Sequence, residues 1–328
     1  MSKSDDGHDL FGFKSVGELT ARVAPKRPSR VKQRLIDASA EIAQSPAEQI
    51  TYQHTVLCQT GLPYRSPGDE VRLWERQNGR AYLRIEAGGA INPDKGGFVD
   101  LPLPFGPKAR LILIHLNSEA IKTGSPEIEV EDSMTAFVKR LLRNDPNGRE
   151  IRTFKDQLSA LSAATIRLAV TDGQRAVQVN TQVVTAFDLW FPKNPNQRIL
   201  WPSTVRLSRD YFDSLARHAV PLDERAVAAL AHSAMGLDVY TWLAQRLHRV
   251  PDHKPQFIPW PALHEQFGQG YAELRFFRRA FLKVLKAVHT QYPAARFEAD
   301  RKGMLLRNSA PPIAQRFVLV SNKPATGS

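Results

Sequence analysis

Basic side chains recur every three or four residues in the stretch YAELRFFRRAFLKVLKAV, which spans residues 271–288. At about 100° per residue of an α-helix, the members that share an arc of roughly 80° are Arg275, Arg279, Lys283 and Lys286. Arg278 lies at the border of this arc, and Glu273 is the single acidic residue of the stretch. Guanidinium and ammonium groups on one face neutralise anions, so the spacing predicts a surface that binds a polyanion.

The other face of this helix is apolar and bears on which partner the charge meets. A basic amphipathic helix can lie on an anionic membrane, dock a partner protein or enter a groove of DNA. The apolar residues that share the face are Leu274, Phe277, Phe281, Val284, Leu285 and Val288. Because they are needed to close a compact domain, they are not free for lipid, which favours DNA. Phe276, beside the basic arc, could touch a thymine methyl group, support a neighbouring arginine or pack against the following hairpin.

The charge of the whole chain agrees with a nucleic-acid partner. Its 328 residues include 45 Lys or Arg and 33 Asp or Glu, a net charge of +12. Residues 201–328 carry 18 basic and 10 acidic residues, an excess of 8, so most of the net positive charge lies in the C-terminal part. Clustered charge of one sign attracts a polyanion through its field and through counterion release, although a solvated surface is the simpler alternative.

The elements that must position these residues begin with a helix, a strand, two helices and a hairpin. The first helix starts after Pro107 and stops at Gly124, and EIEVED is a short strand. Ser133 caps the next helix, and GREIRTFKDQLSALSAA forms another. TIRLAV and AVQVNTQVV then form a hairpin that turns at Asp172 and Gly173. This order is typical of a winged helix, a helix-turn-helix followed by a β-wing.

Much the same order recurs in the second half. A long helix is predicted from near Leu222 through DERAVAALAHSAMGLDVYTWLAQRL, followed by the short helix WPALHEQFG and the basic helix. The hairpin ARFEADRKGMLLRNS closes the unit, with its turn at residues 300–303. The sequence therefore predicts a helix-rich α+β fold with two tandem winged-helix domains.

Flanking signals complete the division of the chain. Ser29 caps a short helix near basic residues that could grip phosphates or serve as a solubilising arm, namely Lys26, Arg27, Arg30, Lys32 and Arg34. Asn78 and Gly79 predict a hairpin, and Ser208 caps a further helix. The expected parts are a basic flexible tail with a short helix (1–48), an N-terminal winged-helix domain with a preceding hairpin (49–195), a C-terminal winged-helix domain (196–310) and a tail (311–328).

The candidate DNA-binding residues lie mainly in the second unit. Arg301 and Lys302 stand at the tip of its wing, next to the basic helix. The corresponding helix of the first unit offers Arg149 and Arg152, but its exposed side mixes them with neutral and acidic residues. The second unit is therefore expected to read DNA, while the first serves self-association or accessory DNA contact.

Other chemistry finds little support in the sequence. A G-x-x-x-x-G-K-[ST] loop is absent, and HEQFG lacks the second histidine of a zinc protease motif. Cys58 is the one cysteine, which excludes an internal disulfide framework. No apolar run approaches the roughly 18 residues that a membrane span needs, so a cytoplasmic protein without catalytic residues, metal or cofactor is expected.

Two long blocks carry a family resemblance. At LPFGPKARLILIHLNSEAIKTGSPEIEVEDSMTAFVKRL and at RLSRDYFDSLARHAVPLDERAVAALAHSAMGLDVYTWLAQRL, the sequence resembles the RepA-type plasmid replication initiators over about residues 70–310. The resemblance implies a bacterial, plasmid-encoded protein that binds repeated sequences at a plasmid origin, helps to open the duplex and recruits the host initiator and replicative helicase. It also implies copy-number control through exchange between monomers and homodimers.

The resemblance further implies that the second domain reads the repeat, and the matching positions are Arg275, Arg278, Arg279, Lys283 and Lys286. Residues 141–164 depart from the family pattern, where a Gly-rich turn and a more basic helix are expected. The main alternative is a winged-helix transcriptional repressor without initiator activity. A relaxase-like nucleic-acid enzyme and a protein-binding scaffold are two further alternatives.

Overall fold

The structure is a computed structural model that describes residues 28–92, 97–129, 133–171, 176–182, 184–186 and 204–313. The first part of the chain forms α1 (Arg30–Gln44), β1 (Ile50–His54), α2 (Thr55–Gln59), β2 (Leu73–Asn78), β3 (Ala81–Glu86), β4 (Gly89–Asn92) and β5 (Gly97–Asp100). The side chain of Ser29 accepts a hydrogen bond from the backbone N–H of Lys32 and caps α1, as predicted. Strands β2 and β3 form the predicted hairpin around Gly79, and β4 pairs with β5 in a separate ribbon.

The first predicted unit contains α3 (Gly106–Thr123), β6 (Glu127–Glu129), α4 (Met134–Leu142), α5 (Gly148–Ala163), β7 (Thr165–Thr171), β8 (Ala176–Gln182), β9 (Val184–Ala186) and β10 (Thr204–Leu207). Gly124 ends α3 with a φ of 65°, a left-handed conformation that favours glycine. Ser133 caps α4 as predicted. The predicted turn at Asp172 and Gly173 lies outside the described residues.

The second predicted unit contains α6 (Arg209–His218), β11 (Ala219–Asp223), α7 (Glu224–Leu230), α8 (Ala234–Arg246), β12 (Gln256–Pro259), α9 (Trp260–Phe267), α10 (Leu274–Gln291), β13 (Phe297–Ala299) and β14 (Gly303–Leu306). Strands β12, β14 and β13 lie side by side in that order. A strand before the helix-turn-helix thus pairs with the second strand of the hairpin that follows it. This is the arrangement of a winged helix, with α9 and α10 as the helix-turn-helix.

The prediction of one long helix from near Leu222 is wrong. Residues 219–223 form β11, which pairs with β1, and the following helical segment is divided into α7 and α8. The division falls at Ser233, whose hydroxyl accepts a hydrogen bond from the backbone N–H of Gly236 at 3.0 Å and caps α8. A serine that binds the backbone locally competes with helix continuation, and the apolar periodicity on both sides hides this break.

The first unit keeps the order of a winged helix but enlarges its sheets. Its hairpin, β7 and β8, joins β3 and β2 in a four-stranded sheet of order β2-β3-β7-β8. Strand β6 pairs instead with β10, which also pairs with β9. The described residues therefore confirm a helix-rich α+β fold with two helix-turn-helix and hairpin units. Because β10 pairs within the first unit, we place the proposed boundary between the two units after residue 207.

The two units share one core. Their buried apolar side chains form a continuous cluster, and β1 and β11 pair antiparallel from Ile50 opposite Asp223 to His54 opposite Ala219. At the centre, the guanidinium of Arg110 on α3 binds the carboxylate of Asp238 on α8 at 2.6 and 2.8 Å. The two winged-helix units therefore pack against each other through a shared hydrophobic core and are not independent domains joined by a linker.

Helix α5 begins with a capping box that allows a direct test of local structure. The Asn147 side chain accepts from the Glu150 backbone N–H at 2.9 Å, and the Glu150 carboxylate accepts from the Asn147 backbone N–H at 3.1 Å. Replacing Asn147 with alanine is expected to lower the free energy of unfolding by about 1 kcal/mol. Urea denaturation would measure this, with the exposed Gln44→Ala at the end of α1 as the control. A loss equal to that of the control would contradict the role of the cap.

Candidate nucleic-acid interface

Helix α10 is fixed by its apolar face. Phe277, Phe281, Leu285 and Val288 are fully buried, and the ring of Phe281 packs edge-on against Trp260 with centroids 6.0 Å apart. Of the predicted apolar face, Leu274 alone is classed as exposed, at 38%, because it stands in the first turn beyond the edge of the core. The remaining face anchors the helix, so its orientation is set by the core of the second unit.

The opposite side of α10 faces solvent and carries the predicted charge. Arg275, Arg279, Lys283 and Lys286 are all exposed. Their long side chains project from four successive positions of one face, as the helical spacing predicts. The structure therefore brings these four residues together on one surface, named the α10 face below.

Phe276 lies between two of these arginines. The guanidinium carbon of Arg275 lies 4.7 Å from the centre of its ring, and that of Arg279 lies 5.6 Å away. Arg275 also pairs with Glu273 at 2.7 Å, and both side chains remain at least half exposed. The sequence left three roles for Phe276: contact with a thymine methyl group, support of a neighbouring arginine, or packing on the hairpin. Its contacts in the structure are those expected for support of neighbouring arginines. An aromatic face attracts a guanidinium and limits its rotation, which holds both groups at the surface.

Arg278 has a different environment from its neighbours. Its Nη2 donates to the carbonyl oxygen of Asp300 at 3.0 Å, and its guanidinium stacks over the ring of Trp260 at 5.2 Å. The Trp260 Nε1 donates to the same carbonyl oxygen at 3.0 Å. Arg278 thus ties α10 to the turn of the wing, an arrangement that the helical arithmetic does not reveal.

The turn of the wing presents two further basic residues. The Asp300 carboxylate accepts from the backbone N–H groups of Lys302 and Gly303 at 2.7 and 2.8 Å. These donors, Gly303 first, lower the pKa of Asp300. A Cβ atom on Gly303 would lie 2.2 Å from the carbonyl oxygen of Ile258, so the turn requires glycine there. Arg301 and Lys302 are exposed at the tip, as predicted.

The turn between α9 and α10 is held by the first unit. Gln269 accepts from the backbone N–H of Tyr64 at 3.0 Å and donates to the carbonyl oxygen of Leu62 at 3.2 Å. The guanidinium of Arg76 on β2 donates at 2.7 and 2.8 Å to two carbonyl oxygens of α9, those of Glu265 and Gln266. Residues 189 to 207 positions apart thus fix the turn that precedes α10, and nothing in their local sequence marks them.

The basic residues of the first unit and of α1 lie on other elements. Arg149 and Arg152 are exposed on α5, which packs on α3 and α4. Helix α1 packs on α7 and α10, where Gln291 donates to the carbonyl oxygen of Leu35 at 2.9 Å. On α1, Arg30 and Lys32 are exposed and Arg34 is half-buried, whereas Lys26 and Arg27 lie outside the described residues.

His264, from the HEQFG stretch, contacts the backbone and packs against an aromatic ring. Its Nε2 lies 2.8 Å from the carbonyl oxygen of Tyr271, and its ring packs on Phe277 at 5.1 Å between centroids. In the part of the chain that the structure describes, no three His, Cys, Asp or Glu residues form a cluster that could hold a metal ion. Among the same residues, no helix is long and apolar enough to cross a membrane.

Comparison with known proteins agrees with the resemblance seen in the sequence. Residues 103–261 match the family model described as plasmid encoded RepA protein. No curated protein matches the chain. Among solved structures, SeMet derivatives of domain 2 and domain 3 of RctB align with 8% identity and a TM-score of 0.48, covering 77% of this chain and 98% of that one. The RctB domains 2-3 align with 9% identity and a TM-score of 0.45, covering 74% and 83%. All of α10 and the hairpin of β13 and β14 lie beyond residues 103–261, the range that the family model matches.

Proposed function

We propose that this chain, which belongs to the RepA-type family through residues 103–261, initiates plasmid replication by binding repeated double-stranded DNA at the origin. The α10 face is the observation that supports this proposal most directly. It combines exposed cations, a rigid apolar anchor and a basic wing in one winged helix. A recognition helix of this kind enters the major groove while the wing and flanking cations contact phosphates.

The contacts suggest a division of work within the second unit. Lys283 and Lys286 lie farther along α10 and suit phosphates, which bind point charges without regard to sequence. Arg279 carries a planar fork that pairs with guanine in the major groove, and Phe276 holds that fork in place. Arg278 sets the angle between helix and wing, while Arg301 and Lys302 reach the flanking backbone. Base reading then depends on the arginines, and affinity depends on all of the cations.

The first unit has a supporting role in the proposal. Arg149 and Arg152 make accessory backbone contacts, because α5 presents them on a face that also carries the exposed Asp156. Its four-stranded sheet and hairpins provide surface for a homodimer, and exchange between dimer and monomer would control copy number. Recruitment of the host initiator and helicase completes the proposed cytoplasmic role and requires no bond chemistry by this chain.

A footprint of the purified chain on the DNA that flanks its own gene tests the proposal. Protection is expected on several copies of one repeat, beside an AT-rich segment, and unrelated DNA of equal length serves as the control. Equal binding to both DNAs would contradict sequence recognition. Strain from several adjacent bound copies could favour melting of the AT-rich segment, so permanganate reactivity there is expected to rise on saturation.

Replication itself separates the initiator from a repressor. A plasmid that carries the flanking DNA but lacks the gene is expected to replicate only in cells that supply the protein from elsewhere. A repressor would silence a reporter fused to the same DNA yet leave this plasmid unmaintained. The same residues would bind DNA in both cases, which is why the assay must measure maintenance of the plasmid.

Phe276 provides a specific test of how the arginines are held. Phe276→Ala is expected to weaken binding to the repeat by about 1 kcal/mol, because the support of two guanidinium groups is lost while every charge stays. The dependence of affinity on salt should therefore be unchanged. Fluorescence anisotropy at several salt concentrations measures both quantities, with the exposed Phe257→Ala on β12 as the matched control. An affinity equal to that of the control would contradict the supporting role.

A further inference from the structure

A cleft of about 510 Å³ lies between the two units, away from the residues assigned to the α10 face. Its walls come from the turn between β2 and β3, the end of β1, the end of β7, helices α2 and α6, the end of α8 with the residues that follow it, and the start of β12. Three arginines line it, Arg80, Arg246 and Arg249. None of its described lining residues is Asp or Glu, so the cleft is positively charged.

The arginines of the cleft differ in whether their guanidinium groups have hydrogen-bond partners. The Arg246 Nε donates to the side chain of Gln256 at 3.0 Å, and burial together with the nearby Arg249 lowers its pKa. Arg80 and Arg249 are exposed, and their guanidinium groups make no hydrogen bond or ion pair with any described residue. Like charges brought together without an anion repel one another, and a bound phosphate would relieve that repulsion.

The floor of the cleft contains a buried acceptor without a donor. Gln245 is 4% exposed, and its Nε2 donates to the Thr55 hydroxyl at 3.2 Å. Its Oε1 has no hydrogen-bond partner among the residues that the structure describes. A buried carbonyl oxygen in this condition costs free energy unless a donor reaches it. An N–H or O–H group of a ligand could make that bond, and an inorganic anion without a donor could not.

The remaining wall is apolar and neutral. Val56, Leu168 and Val170 contribute to it. His54 does not add charge, because burial, with a smaller effect of His218, lowers its pKa to about 3. Its Nδ1 accepts from the Val56 N–H and its Nε2 bonds to the Ser214 hydroxyl, so both ring nitrogens are already used. The cleft thus combines cations, one buried acceptor and an apolar surface on which a flat ring can lie.

We propose that this cleft binds a nucleotide through its phosphate and its base or sugar. Arg80 and Arg249 take the phosphate, and the Gln245 Oε1 accepts from an amino or hydroxyl group. Small-molecule sites in proteins have volumes of about 300–1,000 Å³. The volume of this cleft, about 510 Å³, lies within that range and suits a nucleotide. The nucleotide can be a free molecule or one unit of a bound DNA strand, and the second source rests on the proposed function.

The test uses the full chain with Arg80→Gln and Arg249→Gln, singly and together, and Arg217→Gln as the matched control. Arg217 is an exposed arginine on α6 that does not line the cleft. Titration calorimetry is run with ATP, with AMP and with inorganic phosphate. If the source is a free nucleotide, saturable binding is expected, weakened about tenfold by each cleft variant and unaffected by the control. Phosphate alone should bind far more weakly, because it has no base or sugar to contact the apolar wall.

The second arm measures affinity for duplex DNA at several salt concentrations. If the source is DNA, no free nucleotide binds, and each cleft variant reduces the slope of log affinity against log salt by about 0.9 while the footprint keeps its position. The proposal is overturned if no nucleotide binds and both variants match the control on DNA, or if nucleotide binds equally well to wild type and variants. If the wild type bound nucleotide in the calorimeter but failed to bind DNA, only the proposed function would fall, because the calorimetric arm contains no DNA.

Discussion

Replacing Arg110 with methionine is expected to lower the free energy of unfolding by about 3–5 kcal/mol, because it leaves a buried carboxylate without its partner. The guanidinium of Arg110 is 2% exposed and the carboxylate of Asp238 11%. Arg110 also donates to backbone carbonyl oxygens at 2.7 to 3.2 Å, those of Leu62, Pro63 and Gly106. Methionine fills much of the same volume but donates no hydrogen bond, so the loss reflects unmet polar groups.

Urea denaturation of the variant would measure this loss. The matched control is Arg84→Met, which breaks an exposed pair with Glu75 and Glu86 and is expected to change stability little, because solvent screens that pair. A loss for Arg110→Met as small as that of Arg84→Met would show that the buried pair contributes little to the joint core.

The pH dependence of the same variant gives an independent check. Burial raises the pKa of Asp238, and the charge of Arg110 opposes that effect. Without Arg110 the pKa of Asp238 rises further. The pH window of interest lies between the pKa of Asp238 in the unfolded chain, about 3.9, and its higher pKa in the folded variant. Within this window the native state binds more protons than the unfolded state. Stability of the variant therefore increases as pH falls through this window, and its deficit relative to wild type should shrink toward pH 4. A deficit independent of pH would contradict an unpaired carboxylate.

The second large effect is expected on DNA binding. Replacing both Arg279 and Lys283 with alanine should weaken binding to the origin repeat by about two orders of magnitude, because each substitution removes one exposed cation from the α10 face. Each cation that contacts a phosphate contributes about 0.9 to the slope of log affinity against log salt, so the slope should fall by up to about 1.8. Fluorescence anisotropy at several salt concentrations would measure both quantities.

The matched control for this prediction is Arg217→Ala with Lys254→Ala, which removes the same charge from exposed positions outside α10. Circular dichroism and urea denaturation should show that both double variants remain folded, since none of the four side chains belongs to the core. Equal affinities of the two double variants would show that overall charge, and not the α10 face, determines binding.

Signals within a few residues of each other predicted most of the elements. The serines at 29, 133 and 208 cap helices, and Gly124 ends one, because each satisfies backbone groups a few residues away. The face of α10 followed from helical geometry alone. The sequence therefore determines the type of each of these elements and the location of the candidate surface.

Contacts between distant residues were beyond this kind of prediction. Strand β11 depends on β1, about 170 positions earlier, so an apolar stretch with helical spacing near Leu222 becomes a strand. Arg278 looks like a member of the basic arc in a helical projection, yet the wing brings the Asp300 carbonyl oxygen within 3.0 Å of it. The cleft between the units has the same origin, since its arginines come from positions 80, 246 and 249.

The hydrogen bonds that hold the turn before α10 couple the conformations of the two units. Arg76 and Tyr64 belong to the first unit, and both bind the segment that precedes α10. Any ligand that favours one orientation of α10 must therefore also favour the hydrogen bonds around residues 62–76, and the two equilibria are reciprocal. A protein that bound the first unit and shifted these hydrogen bonds would alter the DNA affinity proposed for α10 without touching DNA. DNA bound to α10 would in turn slow exchange of the Tyr64 amide hydrogen, which lies roughly 200 positions earlier in the chain.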